Sequence, residues 1–205
     1  MPNRYFYDFE FIEDGVTIEP ISVGIVAEDG REYYAVSADF SMQHLKSSPW
    51  LIANVLPHLP LDGRGALDRY LAAEGLPPTD LLARVELDHT HRDVKPRQQI
   101  ADEVREFILT PPSGDSPPRE LWGDYCAYDH VALAQLYGRM VDLPDGFPMF
   151  TRDIQDYAAH LGVEHEFLPQ IGGGDAHNAL ADAYNIRARW RFLRQVERTR
   201  AADPK

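Results

Sequence analysis

The segment Arg4-Tyr-Phe-Tyr-Asp-Phe-Glu-Phe-Ile12 sets the first constraint on the fold. Aromatic residues favour a pleated, buried surface, and here they occupy both alternating faces. Phe6 and Ile12 share one face, and Tyr5, Tyr7, Phe9 and Phe11 share the other. A strand that is apolar on both sides needs cover on both sides, so it belongs inside a sheet. Residues 18–27 read as a second strand. Asp29-Gly30 is a tight hairpin signal, and residues 32–38 read as a third strand. The chain is therefore expected to open as an antiparallel meander.

Helical patterns follow. Residues 50–56 predict a short helix. Residues 60–96 are rich in Gly, Pro and charge, with short helices predicted over 67–73 and 81–87. This stretch, about 61–90, reads as an insertion or a mobile flap. Ile100, Val104, Phe107 and Ile108 give residues 98–109 a helical period. Residues 110–118 form a Pro/Ser/Gly loop. A strand over 120–123, a helix over 128–140, a strand over 149–151 and a helix over 154–161 come next. After Gly172-Gly173-Gly174, a long helix is expected from about 176 to 196. The order indicates one α/β domain over 1–205, with an antiparallel three-strand opening, then parallel strands, and flanking helices.

With 205 residues, 44% hydrophobic and 26% charged, the chain is too apolar to be disordered and large enough for a real core. It has no apolar run of about 18 residues, so no membrane partner is expected. The opening residues lack a signal-peptide pattern, and Cys126 is the sole cysteine, so neither an intrachain disulfide nor a Cys-rich zinc cluster can form. These features predict a cytoplasmic protein. The net charge of -13 argues against general nucleic-acid binding. It is uneven, however: 7 basic and 2 acidic residues from Arg187 to Lys205 give +5 there and leave -18 on residues 1–186.

Four acids fall on apolar faces. Asp8 and Glu10 share the face of Phe6 and Ile12. Asp129 lies three and four residues before Ala132 and Leu133, on a predicted helical stripe that continues through Leu136 and Met140. Asp182 lies between Ala179 and Ile186 on the stripe Ala179, Ala183, Ile186, Trp190, Leu193, and His177 precedes it by five residues. Each has an ordinary explanation alone. Asp8 and Glu10 suit an exposed strand edge, Asp129 a helix N-terminus, Asp182 an edge near Arg187 or Arg189, and His177 a capping position. Together, four acids on core-facing stripes are costly unless a cation offsets them. Their hard oxygens favour Mg2+ or Mn2+ over zinc, and two cations shared by four carboxylates suit phosphodiester cleavage. A neutral His177 imidazole suits the role of general base near neutral pH.

Asp8-Phe9-Glu10, Asp129 and His177-x4-Asp182, in that order, resemble the three motifs of the DEDDh 3′-to-5′ exonucleases. Residues 5–15, 28–37 and 127–133 are most similar to the actinobacterial polyadenylate-specific exoribonucleases of the ribonuclease AS type. The resemblance covers most of 4–59 and 92–195, while 61–90 looks longer than in that family. It implies a ribonuclease H-like fold and metal ligation by Asp8, Glu10, Asp129 and Asp182. His177 would be the general base. It also implies two Mg2+ per site, with Mn2+ as an alternative, release of 5′-AMP from a single-stranded RNA 3′ end, and a homodimer. Glu10, His177 and Phe9 become substrate-binding candidates, although the strand face of Phe9 equally suits the core. Competing readings are an exonuclease for DNA or short oligoribonucleotides, and a non-catalytic RNA-binding adaptor with the same fold.

Other motifs carry less. Arg187, Arg189, Arg191 and Arg194, and also Arg92, Lys95 and Arg97, suit either phosphate tracking or solvated faces. Residues 88–93 and Glu164-His165-Glu166 read as surface loops. The triple glycine lacks the Gly-Lys-Ser/Thr of a phosphate loop, and Cys126 reads as a small buried hydrophobe.

Overall fold

The computed structural model describes residues 3–74, 78–110, 118–171 and 177–202. Strands β1 (Asn3–Glu13), β2 (Ile18–Ala27) and β3 (Glu32–Ser37) form the expected meander. Short helices α1 (Met42–Leu45) and α2 (Pro49–Asn54) and a 3-10 turn at Leu56–His58 follow. Next come β4 (Leu61–Asp62), α3 (Arg64–Leu71), α4 (Thr79–Leu82), β5 (Glu86–Leu87) and β6 (Val94–Lys95). The chain continues through α5 (Arg97–Leu109), β7 (Arg119–Gly123), α6 (Ala127–Gln135), β8 (Arg152–Asp153), α7 (Ile154–His160) and α8 (Ala179–Ala202). The main sheet has six strands in the order β6-β3-β2-β1-β7-β8, parallel at β3–β6, β1–β7 and β7–β8. This is an α/β fold with a mixed sheet and flanking helices, consistent with a ribonuclease H-like architecture.

The two faces of β1 explain the layering. Tyr5, Tyr7 and Phe9 pack with Val23, Ile25, Ile100, Val104, Ile108 and Leu133, beneath α5 and α6. On the opposite face, Phe6 joins Ile154, Ile186, Trp190 and Leu193 under α7 and α8. Ile12, also on that face, joins Ile21, Val36, Leu45, Leu56 and Leu67. Asp8 and Glu10 therefore sit at the seam between two apolar clusters. The register between β1 and β2 shifts after Glu10, where Phe11 pairs with Pro20 and Ile21 is the extra residue. Pro20 has no N–H to donate, so a bulge is a natural place for it.

Gly24 pairs with Asp8 across β1 and β2. A Cβ there would lie 2.3 Å from backbone atoms of Ala179 and Leu180. Only glycine lets the first turn of α8 rest on the sheet beside Asp8, and that contact carries Asp182 to the strand acids.

Several predicted elements are corrected. Residues 81–87 are not one helix: α4 stops at Leu82, and Val85 and Leu87 are buried on either side of exposed Glu86. That period of two makes β5, which pairs with β4. The described part of 61–90 is packed, with Ala66, Leu67, Val85 and Leu87 in the cluster of Ile12. Helix α6 ends at Gln135 because the chain turns at Gly138 (φ 111°), and Met140 is exposed rather than on the stripe. The strand expected over 149–151 lies at Arg152–Asp153, where it pairs parallel with β7 as the edge of the sheet. Helix α8 begins at Ala179 and runs to Ala202. The glycine run 172–174 and most of the Pro/Ser/Gly loop lie outside the described residues. No described helix is long and apolar enough to cross a membrane.

Candidate active site

One cleft of about 440 Å3 is lined by Asp8, Glu10, Asp129, His177 and Asp182 together with Trp50, Asp124, Asn185 and Arg189. Strand β1 supplies Asp8 and Glu10, the first turn of α6 supplies Asp129, and the start of α8 supplies Asp182. Carboxylate oxygens of Asp8, Glu10 and Asp182 lie within 4.8 Å of one another. Asp129 stands beside them and turns one oxygen to the backbone: its Oδ1 accepts the N–H of Phe9 at 2.7 Å. That N–H is available because the β1–β7 pairing stops at Phe6 and Trp122.

The acids raise one another's proton affinity. Burial, then the charges of Asp129, Glu10 and Asp182, hold Asp8 well above the usual carboxylate range. Burial and the charges of Asp182 and Asp129 push Glu10 up to about 8. Burial raises Asp129 to about 7 against the pull of the Phe9 N–H. Asp182 is also raised, chiefly by burial. No Lys or Arg forms an ion pair with these four among the described residues. A hard-oxygen set this crowded and uncompensated fits divalent cations such as Mg2+ or Mn2+.

His177 adopts a left-handed backbone (φ 67°) and donates its N–H to Asp182 Oδ2 at 2.8 Å. The other Asp182 oxygen accepts from Asn185 Nδ2 at 3.4 Å, and Asn185 Oδ1 accepts the N–H of Ile171 at 2.8 Å. Tyr125, also in the cleft lining, is likewise left-handed (φ 52°). Non-glycine residues seldom adopt this conformation, and both occurrences among the described residues line the same cleft.

The chain is 39% identical, over 194 residues that cover 95% of each sequence, to the 3′-5′ exoribonucleases of two Mycobacterium tuberculosis strains, CDC 1551 / Oshkosh and ATCC 25618 / H37Rv. No family model matches. The chain belongs to the DEDDh-type 3′-5′ exoribonuclease family.

In this family member the structure brings the five residues of the three motifs into one cleft. Phe9 also borders the cleft, but it is 3% exposed and its ring packs in the core against Tyr7, which favours the core reading of that side chain. Trp50, Asp124 and Asn185 escaped the sequence reading, which named Arg189 only as a neighbour of Asp182 and as part of the basic stretch. Asn185 and Arg189 follow Asp182 at helical spacing, a signal that was available. Arg189 is turned inward rather than lying on a solvated face: it pairs with Asp124, and its Nε donates to the carbonyl of Pro169 at 3.2 Å. Arg194 pairs with Glu197, Arg187 lies over Tyr184, and Lys95 pairs with Glu103 at 2.6 Å. Cys126 is buried, and desolvation pushes its thiol up to about 12, so it is inert at neutral pH. A wider groove of about 950 Å3 adjoins the cleft and shares Phe11 and Trp50 with it.

Proposed function

We propose that this exoribonuclease removes nucleotides one at a time from the 3′ end of single-stranded RNA, with adenylate-rich ends as its preferred substrate. The observation that carries this reading is the crowded carboxylate cluster of Asp8, Glu10 and Asp182, with Asp129 beside it and no Lys or Arg paired with it among the described residues, in a chain related to 3′-5′ exoribonucleases. Asp8, Glu10, Asp129 and Asp182 are its metal ligands. Two Mg2+, or Mn2+ in their place, would supply a more acidic water and charge stabilisation at the leaving oxygen. His177 takes the proton of the attacking water as its oxygen bonds to phosphorus. The bond from phosphorus to the 3′ oxygen breaks, that oxygen gains a proton, and a 5′-nucleoside monophosphate leaves. Asp182 serves twice, as a ligand and as the acceptor that holds the His177 backbone. Asp129 serves twice as well, since it also ties down the strand between Asp8 and Glu10.

The adenylate preference, of the ribonuclease AS type, is supported by the likeness of residues 5–15, 28–37 and 127–133 to that group. We further propose a homodimer. Exposed Tyr125, Tyr128, Val131, Met149 and Phe150, on and around α6, support an apolar contact surface. A cytoplasmic setting accords with the lone, buried cysteine. Residues 1–205 form a single exonuclease domain in this reading, with an insertion at about 61–90.

A gel time course with 5′-labelled A20, U20, C20 and deoxy-A20 tests this, with Mg2+ or EDTA and with Asp8→Asn as control. The expected result is a Mg2+-dependent ladder shortening from the 3′ end, fastest on A20 and absent in the variant. Equal decay of all RNAs would remove the base preference. Faster decay of the deoxy strand would move the substrate to DNA. No decay of any strand would favour the non-catalytic adaptor.

A further inference from the structure

We infer that Trp50 is a positioning residue for His177, an inference that rests on the base role given to His177 above. The two rings are 4.6 Å apart between centroids and inclined by 73°, an edge-to-face contact. Trp50 is 52% exposed, so it contributes little to the core. Its backbone, however, is held. Ser48 Oγ accepts the N–H of Leu51 at 3.3 Å, Pro49 opens α2, and Leu51 and Ile52 are buried. Asn54 Nδ2 donates to the carbonyl of Trp50 at 2.8 Å. The indole therefore projects from an anchored turn into the cleft.

His177 needs such a contact. Its N–H bond to Asp182 fixes the backbone but leaves the side-chain torsions free. Among the described residues no hydrogen bond reaches either ring nitrogen, whereas the indole packs against the ring. A base must lie within hydrogen-bond reach of the proton it takes, and small misplacements of a reacting group are expensive. Trp50 restricts the imidazole to one side of the cleft before substrate arrives.

The test has two arms. In the metal-free protein, the side-chain cross-peak of His177, identified by its loss in His177→Ala, should move in Trp50→Ala as the indole ring current disappears. In steady-state assays on A20, Trp50→Ala should lower kcat about 10–100-fold while KM changes much less. Trp50→Phe, which keeps a ring against the imidazole, should recover most of that loss. In a His177→Ala background the Trp50→Ala change should cost little more, because the two residues act as one unit. An unmoved cross-peak would overturn the assignment. So would equal losses with and without His177, or a rise in KM alone, which would mark Trp50 as a substrate contact. Each of these outcomes leaves an active wild type and the exoribonuclease reading intact. An inactive wild type would instead sink that reading and the kinetic role of Trp50 with it.

Discussion

Asp124 and the trio Asp8, Glu10 and Asp182 line the same cleft, yet their negative charge is handled in opposite ways. Asp124 has a protein cation, Arg189, and accepts from Gln155 Nε2 at 2.6 Å. Among the described residues no Lys or Arg pairs with the trio, whose neighbours are other acids, Asp129 included, and the neutral donors of His177 and Asn185 at Asp182. The first arrangement is complete as it stands and braces the wall formed by the β7–α6 turn, Pro169 and α8. The second is complete only when something positive binds. A buried acid cluster is thus not a site by virtue of being acidic. What distinguishes the trio is the missing compensation.

This contrast can be broken by substitution. Asp8→Asn or Asp182→Asn should lower exonuclease turnover by about 10³-fold or more, roughly 4 kcal/mol on the barrier. The same Asp8→Asn should raise the melting temperature of metal-free protein, because folding no longer has to protonate or crowd a buried carboxylate at that position. Asp124→Asn should do the reverse and cost about 2–3 kcal/mol of stability by leaving a largely buried Arg189 unpaired. Chemical denaturation of both variants in EDTA checks whether the signs oppose; matching signs would erase the distinction. Gly24→Ala should cost about 2 kcal/mol and also reduce activity, because the new methyl meets the backbone of α8 and displaces Asp182 from the strand acids.

The smallest effect concerns pH. Glu10 rises from 4.5 to about 8 and Asp129 from 3.8 to about 7 in the folded chain. Between the ordinary and the raised values the folded state holds more protons than the unfolded one, so metal-free stability should fall as pH climbs through that window. Saturating Mg2+ should oppose the fall, and its stabilising increment should grow with pH because ligands must lose their protons to bind. Melting curves from pH 5 to 8.5, with and without Mg2+, read this as a separation of several degrees at the alkaline end. Parallel curves would count against the cluster as a cation site.

Much of this site was legible in the chain because its defining residues violate local periodicity. Asp8 and Glu10 interrupt an alternation of two, and Asp129 and Asp182 interrupt helical stripes, so each was visible within about ten residues of sequence. The meander was legible from its aromatic first strand and the Asp29-Gly30 turn, both local signals. What stayed hidden was non-local. Asp124 and Arg189 are 65 positions apart, and nothing near either one announces the other. Trp50 is exposed on a short helix and meets His177 only through the tertiary fold. The β5 strand was lost because Val85 and Leu87 follow directly on a helical turn, and a two-residue strand gives periodicity almost nothing to register.

The most direct test is calorimetric titration of Mn2+ into metal-free protein in the presence of 5′-AMP, for wild type, Asp8→Asn, Asp182→Asn and Asp124→Asn. The account predicts saturable binding of two ions per chain in wild type and in Asp124→Asn, with loss of at least one ion in each of the other two variants. Wild-type binding that survives Asp8→Asn and Asp182→Asn unchanged, or no binding in the wild type, would contradict it.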